Sequence, residues 1–194
     1  MGKIIQGEIN GTVLTMETEP GVFSPENFDK GTLAMLSCLE FGENEKLLDL
    51  GCGYGLVGVY AAKKIGQDNV IMTDIDFKSI TLSRRNAERN GVPDVRIFQS
   101  DGFSSLDEAG FSFILSNPPY HTDFSVAKHF IEKGFNRLKI GGKLLMVTKR
   151  LDWYKNKITA VFGGVRVMEI DGYYVFIGEK RQSNRAKVKP KKRT

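Results

Sequence analysis

The chain has 194 residues, 41% apolar and 26% charged, with a formal net charge of +5, which is about one domain of ordinary soluble composition, long enough to bury a core without disulfides or metal. No stretch approaches the ~18 uninterrupted apolar residues of a membrane span, and Gln6, Glu8 and Asn10 stand where a signal peptide needs an apolar run, so membrane, collagenous and wholly disordered classes are excluded and a cytoplasmic location is expected. The positive excess is confined to residues 181–194, which hold seven basic residues and no acid, leaving 21 basic against 23 acidic groups in residues 1–180.

Ile4–Ile9 and Thr12–Glu17 read as strands around Asn10-Gly11, the dipeptide favoured where a type I′ turn needs two positive φ values, so a small N-terminal hairpin is expected over about residues 1–20. After Pro20-Gly21 comes a loop and then an amphipathic helix over Phe28–Leu39. Beyond it, short apolar runs alternate with longer amphipathic segments. Strands are expected over Lys46–Leu50, Val70–Thr73, Val95–Phe98, Phe111–Ser116, Lys143–Thr148, Arg166–Ile170 and Tyr173–Gly178. Helices are expected over Leu56–Lys64, Phe77–Asn90, Phe124–Leu138 and Trp153–Val161, with a short one near Ser104–Ala109. Asp76 is the expected N-cap of helix Phe77–Asn90, and Asn90-Gly91 followed by Pro93 is its stop. The alternation predicts an α/β, Rossmann-like fold: a mostly parallel seven-stranded sheet with helices on both faces. Asp171-Gly172 joins the last two strands as a hairpin, which brings one antiparallel strand into that sheet. Residues 1–180 form the domain. The basic tail, 181–194, has too little apolar content to offset its ordering entropy and is expected to be disordered when alone. It reads as an electrostatic arm for a polyanion or as a solubilising terminus.

Three constellations carry chemistry. The first is Asp49-Leu50-Gly51-Cys52-Gly53-Tyr54-Gly55, a strand end running into a glycine-rich turn and a helix, where the missing Cβ atoms let a nucleotide-like ligand approach the backbone. Gly53, Gly55 and Gly58 also match the dinucleotide fingerprint. Against a pyrophosphate ligand, Asp49 at the strand end opposes phosphate charge and favours a ligand carrying a cationic amino group. In the second, Asp74 and Asp101 follow predicted strands and should project into the crevice at the carboxyl edge. Asp74 suits two ribose hydroxyls and Asp101, with Gly102 beside it, an exocyclic adenine amine. The third is Ser116-Asn117-Pro118-Pro119-Tyr120-His121. The prolines hold Asn117 and Pro118 out of helix. The Asn117 side-chain oxygen and the Pro118 carbonyl can then receive both hydrogens of a planar –NH₂ group, while Tyr120 offers a face for stacking. An ordinary Pro-Pro turn is the alternative.

At these residues the chain resembles the class I S-adenosylmethionine-dependent methyltransferases, and in detail the small-domain family that includes the ribosomal RNA guanine-N2 methyltransferases. The markers are Gly21-Val22-Phe23-Ser24, Asp29-Lys30-Gly31-Thr32, the turn at Asp49–Gly55, Asp74, Asp101 and the NPPY motif at Asn117–Tyr120, and the resemblance runs from about Gly21 to Gly178. It implies that Asp49, Gly51 and Gly53 surround the methionine part of S-adenosyl-L-methionine, Asp74 the ribose, Ile75 the adenine face and Asp101 with Gly102 the adenine amine. It implies catalysis by Asn117, Pro118, Pro119 and Tyr120 on a planar nitrogen, with Asn117 also next to the cofactor. The segment Phe23–Thr32, including Phe23 and Lys30, looks like that family's lid. Larger members carry an additional N-terminal domain, whereas the match here starts at Gly21.

The expected activity is therefore methylation of a nucleobase amine, guanine N2 in ribosomal RNA first, with RNA or a ribosomal subunit as partner. Adenine N6 and a protein glutamine amide suit the same motif, and a noncatalytic RNA-binding module is the reading from another class. His121 is a candidate relay or substrate contact, and Lys149 and Arg150, clustered with Lys155 and Lys157 past a predicted strand end, are candidate RNA contacts. His129, midway along a predicted helix, is expected to be structural. Cys38 and Cys52, far in sequence from both histidines, suggest no metal cluster, and in a reducing compartment they are expected as thiols rather than a disulfide.

Overall fold

The computed structural model describes residues 2–22, 24–118 and 124–181. Asn10 and Gly11 take φ values of 46° and 76°, as a type I′ turn requires, and join β1 (Lys3–Ile9) to β2 (Thr12–Thr18) in a separate antiparallel sheet. The remaining elements follow as α1 (Lys30–Ser37), β3 (Leu47–Leu50), α2 (Leu56–Ile65), β4 (Val70–Asp74), α3 (Phe77–Arg89), β5 (Arg96–Gln99), β6 (Phe111–Ser116), α4 (Ser125–Arg137), β7 (Leu138–Thr148), α5 (Leu151–Phe162), β8 (Arg166–Ile170) and β9 (Tyr173–Glu179). A single 3-10 turn, Gln67–Asn69, lies between α2 and β4.

The seven-stranded sheet runs β5-β4-β3-β6-β7-β9-β8. Pairs from β5 through β7 are parallel, and β9 is antiparallel to both its neighbours, so the expected single reversed strand enters beside β7 rather than at the edge. Asp171 and Gly172, at φ 50° and 77°, make the turn that reverses it. Strand alternation divides the core. Leu47, Met72, Phe113, Leu115, Leu145 and Val175 face α1, α2 and α3, while Leu48, Ile71, Ile114, Leu144, Met146 and Phe176 face α4 and α5. Every residue of β3 and β6 is buried, as expected of central parallel strands covered on both sides. Among the described residues no helix is long and apolar enough to cross a membrane.

Three expectations need correction. Residues 104–109 do not form a helix: the segment is too short to offset the cost of a helical nucleus, and the Arg137 guanidinium instead donates to the Asp107 and Glu108 carbonyls at 2.6 and 3.1 Å. Helix α1 starts at Lys30, not Phe28, because Asp29 caps it by accepting from Thr32 N, and Phe28 packs against Gly7 of the hairpin. Strand β7 begins five residues early, at Leu138, where it pairs with Phe111.

The hairpin is fastened to α3 by two asparagines that imitate a strand. Asn90 Oδ1 and Nδ2 take Thr15 N and O at 3.0 and 2.8 Å, and Asn86 does the same for Glu17 at 2.6 and 2.9 Å. Asn86 is fully buried and its Nδ2 also reaches Tyr54 O at 2.8 Å, which couples the hairpin to the glycine turn.

Candidate active site

After β3 the chain moves outward through β4 to β5 and then returns to the other side of β3 as β6. The strand order thus reverses between β3 and β6, and open α/β sheets bind ligands outside the carboxyl ends of the strands at that point. A cleft of about 390 Å³ lies there, lined by Asp49, Gly53, Asp74, Ile75, Asp101 and Asn117 among others. A larger cavity of about 750 Å³ lies past the end of α1, beside Phe113, Lys143, Arg166 and Met168. It lacks the convergence of strand-end acids, so chemistry rather than volume selects the switch-point cleft.

The glycine turn is shaped for close approach. Gly51 and Gly53 have φ of 76° and 55°, and a Cβ built on either would meet open space. At Gly58, by contrast, it would fall 2.4 Å from Met72 Cγ, so that third glycine is needed to seat α2 on β4. The N–H groups of Gly51 and Cys52 both donate to Thr73 O at 2.9 Å. Asp74 accepts from Gly53 N at 2.8 Å and from Asp76 N at 2.9 Å, so it braces the turn as well as facing the cleft. Ser83 Oγ holds Gly53 O at 2.8 Å.

Asp49, only 2% exposed, accepts from Gly58 N at 2.8 Å. Burial pushes its carboxyl up to about 7; the Gly58 bond opposes the rise and the charge of Asp74 adds to it. Burial, with Asp49 and Asp74 adding to it, also raises the Cys52 thiol well above its usual range, which keeps it neutral and unsuited to nucleophilic chemistry. Tyr54 is buried in the cleft wall, its phenol raised by burial first and Asp29 second. Its hydroxyl has no hydrogen-bond partner among the described residues. Ile75 is 62% exposed at the mouth. Asp101 is exposed, and its neighbour Gly102, at φ 57°, lies where a Cβ would come 3.0 Å from His129 Cδ2; the His129 ring thus packs on this loop.

Asn117 follows β6, and its Nδ2 donates to Asp29 Oδ2 at 2.9 Å and to Thr32 Oγ1 at 3.0 Å. The same Asp29 oxygen accepts from Thr32 N at 2.7 Å and Thr32 Oγ1 at 3.1 Å. Asp29 and Thr32 are 8% and 6% exposed. Turning the amide over would set its oxygen against a carboxylate, so this buried cluster fixes which end of Asn117 is the acceptor end and points it away from Asp29. The sequence marked Asp29 and Thr32 only as part of a lid; an acid before the first helical turn is a legible N-cap signal, but its bond to a residue 88 positions away is not.

Pro118 is buried in the cleft wall. Pro119, Tyr120, His121 and Phe23 lie outside the described residues. Lys30 is exposed at the start of α1, and Lys149 and Arg150 are exposed past the end of β7. Lys157 is drawn off by an ion pair with Glu132 of α4, so it does not join that basic cluster. Cys38 and Cys52 are free thiols.

Fold and cleft together define a doubly wound α/β domain whose switch-point crevice suits a nucleoside-type ligand with a cationic end. The family model described as the methyltransferase small domain matches residues 13–177, and the chain belongs to that family. The uncharacterized protein YbxB of Bacillus subtilis (strain 168) is 34% identical over 172 residues, 86% of each chain. Ribosomal RNA small subunit methyltransferase C of Hahella chejuensis (strain KCTC 2396) is 36% identical over 159 residues, 80% of this chain and 46% of the relative. The structure of the T. thermophilus 16S rRNA N2 G1207 methyltransferase (RsmC), in complex with AdoMet and guanosine, matches with a TM-score of 0.85 at 28% identity, over 93% of this chain and 51% of that one. The chain spans about half the length of these ribosomal RNA methyltransferases.

Proposed function

We propose that this chain is an S-adenosylmethionine-dependent N-methyltransferase for the exocyclic amine of a nucleobase, guanine N2 in ribosomal RNA, and that it works in the cytoplasm on RNA or a ribosomal subunit. The observation that carries the reading is the amide of Asn117, clamped by Asp29 and Thr32 at the edge of a cleft whose other wall is the glycine turn. The relatives that act on ribosomal RNA, and the neighbour solved with AdoMet and guanosine, support the choice of substrate and cofactor.

The residues present fit the cofactor. Open space at Gly51 and Gly53 admits its chain against the backbone. Asp49 suits its amino group, Asp74 the ribose, exposed Ile75 the adenine face and Asp101 with Gly102 the adenine amine. Tyr54 lines the same cleft, and its buried hydroxyl is without a protein partner among the described residues. When bound, the cofactor supplies an electrophilic methyl group on a sulfonium.

An exocyclic amine is a poor nucleophile because its lone pair is delocalised into the ring. Accepting its two N–H groups on Asn117 Oδ1 and the Pro118 carbonyl favours localisation of that lone pair and orients it for in-line attack. No strong base is needed, since the methylated nitrogen is acidic while cationic and sheds its proton to a carbonyl or water. Pro119 and Tyr120 complete the catalytic motif in this reading, and Phe23, Lys30, His121, Lys149 and Arg150 belong to it as substrate-side residues.

The test is transfer from methyl-labelled cofactor to total RNA and isolated ribosomal subunits, followed by digestion to nucleosides. Label in N2-methylguanosine is expected. Label in N6-methyladenosine or in protein would replace this substrate assignment with another.

A further inference from the structure

Beside the acceptor lies a ledge of paired cations and aromatic rings that the chemistry above leaves unused. Ser116 pairs with Met146 across β6 and β7, so the residues after Thr148 emerge just beyond the level of Pro118. Successive residues leaving a strand face opposite sides of the sheet, and Lys149 and Arg150 do. Lys149 Nζ lies 4.9 Å from the ring centre of Tyr173 on the α1 side. Arg150 Cζ lies 5.1 Å from that of Phe124 on the α4 side, and Phe124 is stacked on Trp153 at 4.2 Å and 12°. Tyr173 lies against the first turn of α1, where a Cβ on Gly31 would fall 2.7 Å from its ring. One cation–aromatic group therefore flanks Asn117-Pro118 on each side, and Trp153 and Tyr173 remain partly exposed, with Phe124 held between Trp153 and Arg150.

The charge around these rings favours a polyanion. Lys30, Lys149, Arg150 and Lys155 are exposed, against the exposed acids Asp152 and Asp171 in the same segments. Cations alone would suit any phosphate backbone. Partly exposed rings beside cations suit bases that are out of a duplex, because every base has a face to stack and only an unpaired one can offer it. The depth of the acceptor agrees, since an amine cannot reach half-buried Asn117 while its base is stacked in a helix.

We propose that this ledge stacks the nucleotides on either side of the target base, so that the substrate is RNA unpaired at those flanking positions as well as at the target. The proposal rests on the reading of the chain as an RNA methyltransferase and adds the form of RNA that it takes.

Trp153 is the sole tryptophan of the chain, so its emission reports on the ledge directly. The full chain is titrated, with cofactor present, with an unpaired oligoribonucleotide containing the methylated site and with the same sequence annealed to its complement. Saturable quenching by the unpaired strand alone is expected. Trp153→Leu and Tyr173→Leu, each checked by thermal melting and cofactor affinity, should raise KM for the unpaired strand about tenfold, the scale of one lost base stack, with kcat at saturation unchanged. In Tyr173→Leu, where the reporter is intact, the quenching midpoint should move by the same factor. Methylation of the unpaired strand with no change in Trp153 emission, unaltered KM in both variants, or equal methylation of duplex and single strand would each overturn the ledge and leave the methyltransferase reading standing. Absence of methyl transfer to any RNA would remove the reading itself, and the ledge with it.

Discussion

Asp29→Asn is a sharp probe of the chemistry, because it changes the orientation of Asn117 while sparing most else. Asparagine caps a helix as well as aspartate does, so α1 should still begin at Lys30. What is lost is the charge-assisted bond from Asn117 Nδ2, now 2.9 Å from a buried carboxylate oxygen that also serves Thr32. Bonds to charged groups contribute about 1.5–3 kcal/mol, and the neutral amide oxygen that would keep the cap from Thr32 N holds Asn117 Nδ2 by a weaker bond, so the preference for this orientation of Asn117 falls. If the acceptor end must face the substrate, kcat should fall by about 10–100-fold, since each 1.36 kcal/mol is a factor of ten. Cofactor affinity should stay near that of the parent. Single-turnover methyl transfer with saturating cofactor and RNA gives the comparison, and calorimetry the cofactor affinity. A folded Asp29→Asn enzyme with kcat within about twofold of the parent would refute the positioning argument.

Asp49, raised to about 7 by burial, holds a proton in the free protein below that pH. Its folded-state value exceeds the unfolded one, so it costs stability as pH rises from the ordinary carboxylate range through about 7. A ligand ammonium seated beside it should ionise it, so cofactor binding at pH 6 should release a proton, seen as a calorimetric heat that varies with buffer ionisation; Asp49→Asn should abolish that dependence, and no dependence in the parent would remove Asp49 from the site. Asp74→Ala should weaken cofactor binding by on the order of 1–3 kcal/mol, combining lost ribose bonds with the loosened Gly53 turn; equal affinity in a folded variant contradicts it. Truncation after Lys180 should leave the domain intact, because Lys180 is itself buried with its Nζ on Leu138 O at 2.8 Å. The truncation should also flatten the slope of log K for RNA against log salt by about 2–4 units, and an unchanged slope would return the tail to a solubilising role.

The local chemistry of the chain determined much of this protein. Short apolar runs and helical apolar spacing placed the nine strands and five α-helices of the described residues, since such patterns are dictated by which faces of an element meet the core. Asn10-Gly11 and Asp171-Gly172 declared their hairpins because few residues tolerate positive φ, and Asp49, Gly51, Gly53, Asp74, Asp101 and Asn117 were legible as strand-end groups that a parallel sheet must deliver to one edge. The short helix near Ser104–Ala109 failed because six residues cannot offset a helical nucleus, and Arg137, about 30 residues along the chain, holds the Asp107 and Glu108 carbonyls in the extended run before β6. Which neighbour β9 chose, and that Asn86 ties hairpin, turn and helix together, depended on pairings between distant segments. So did the clamp of Asp29 and Thr32 on Asn117: a side chain's partners across 85 or 88 residues are set by packing, and no local propensity encodes them.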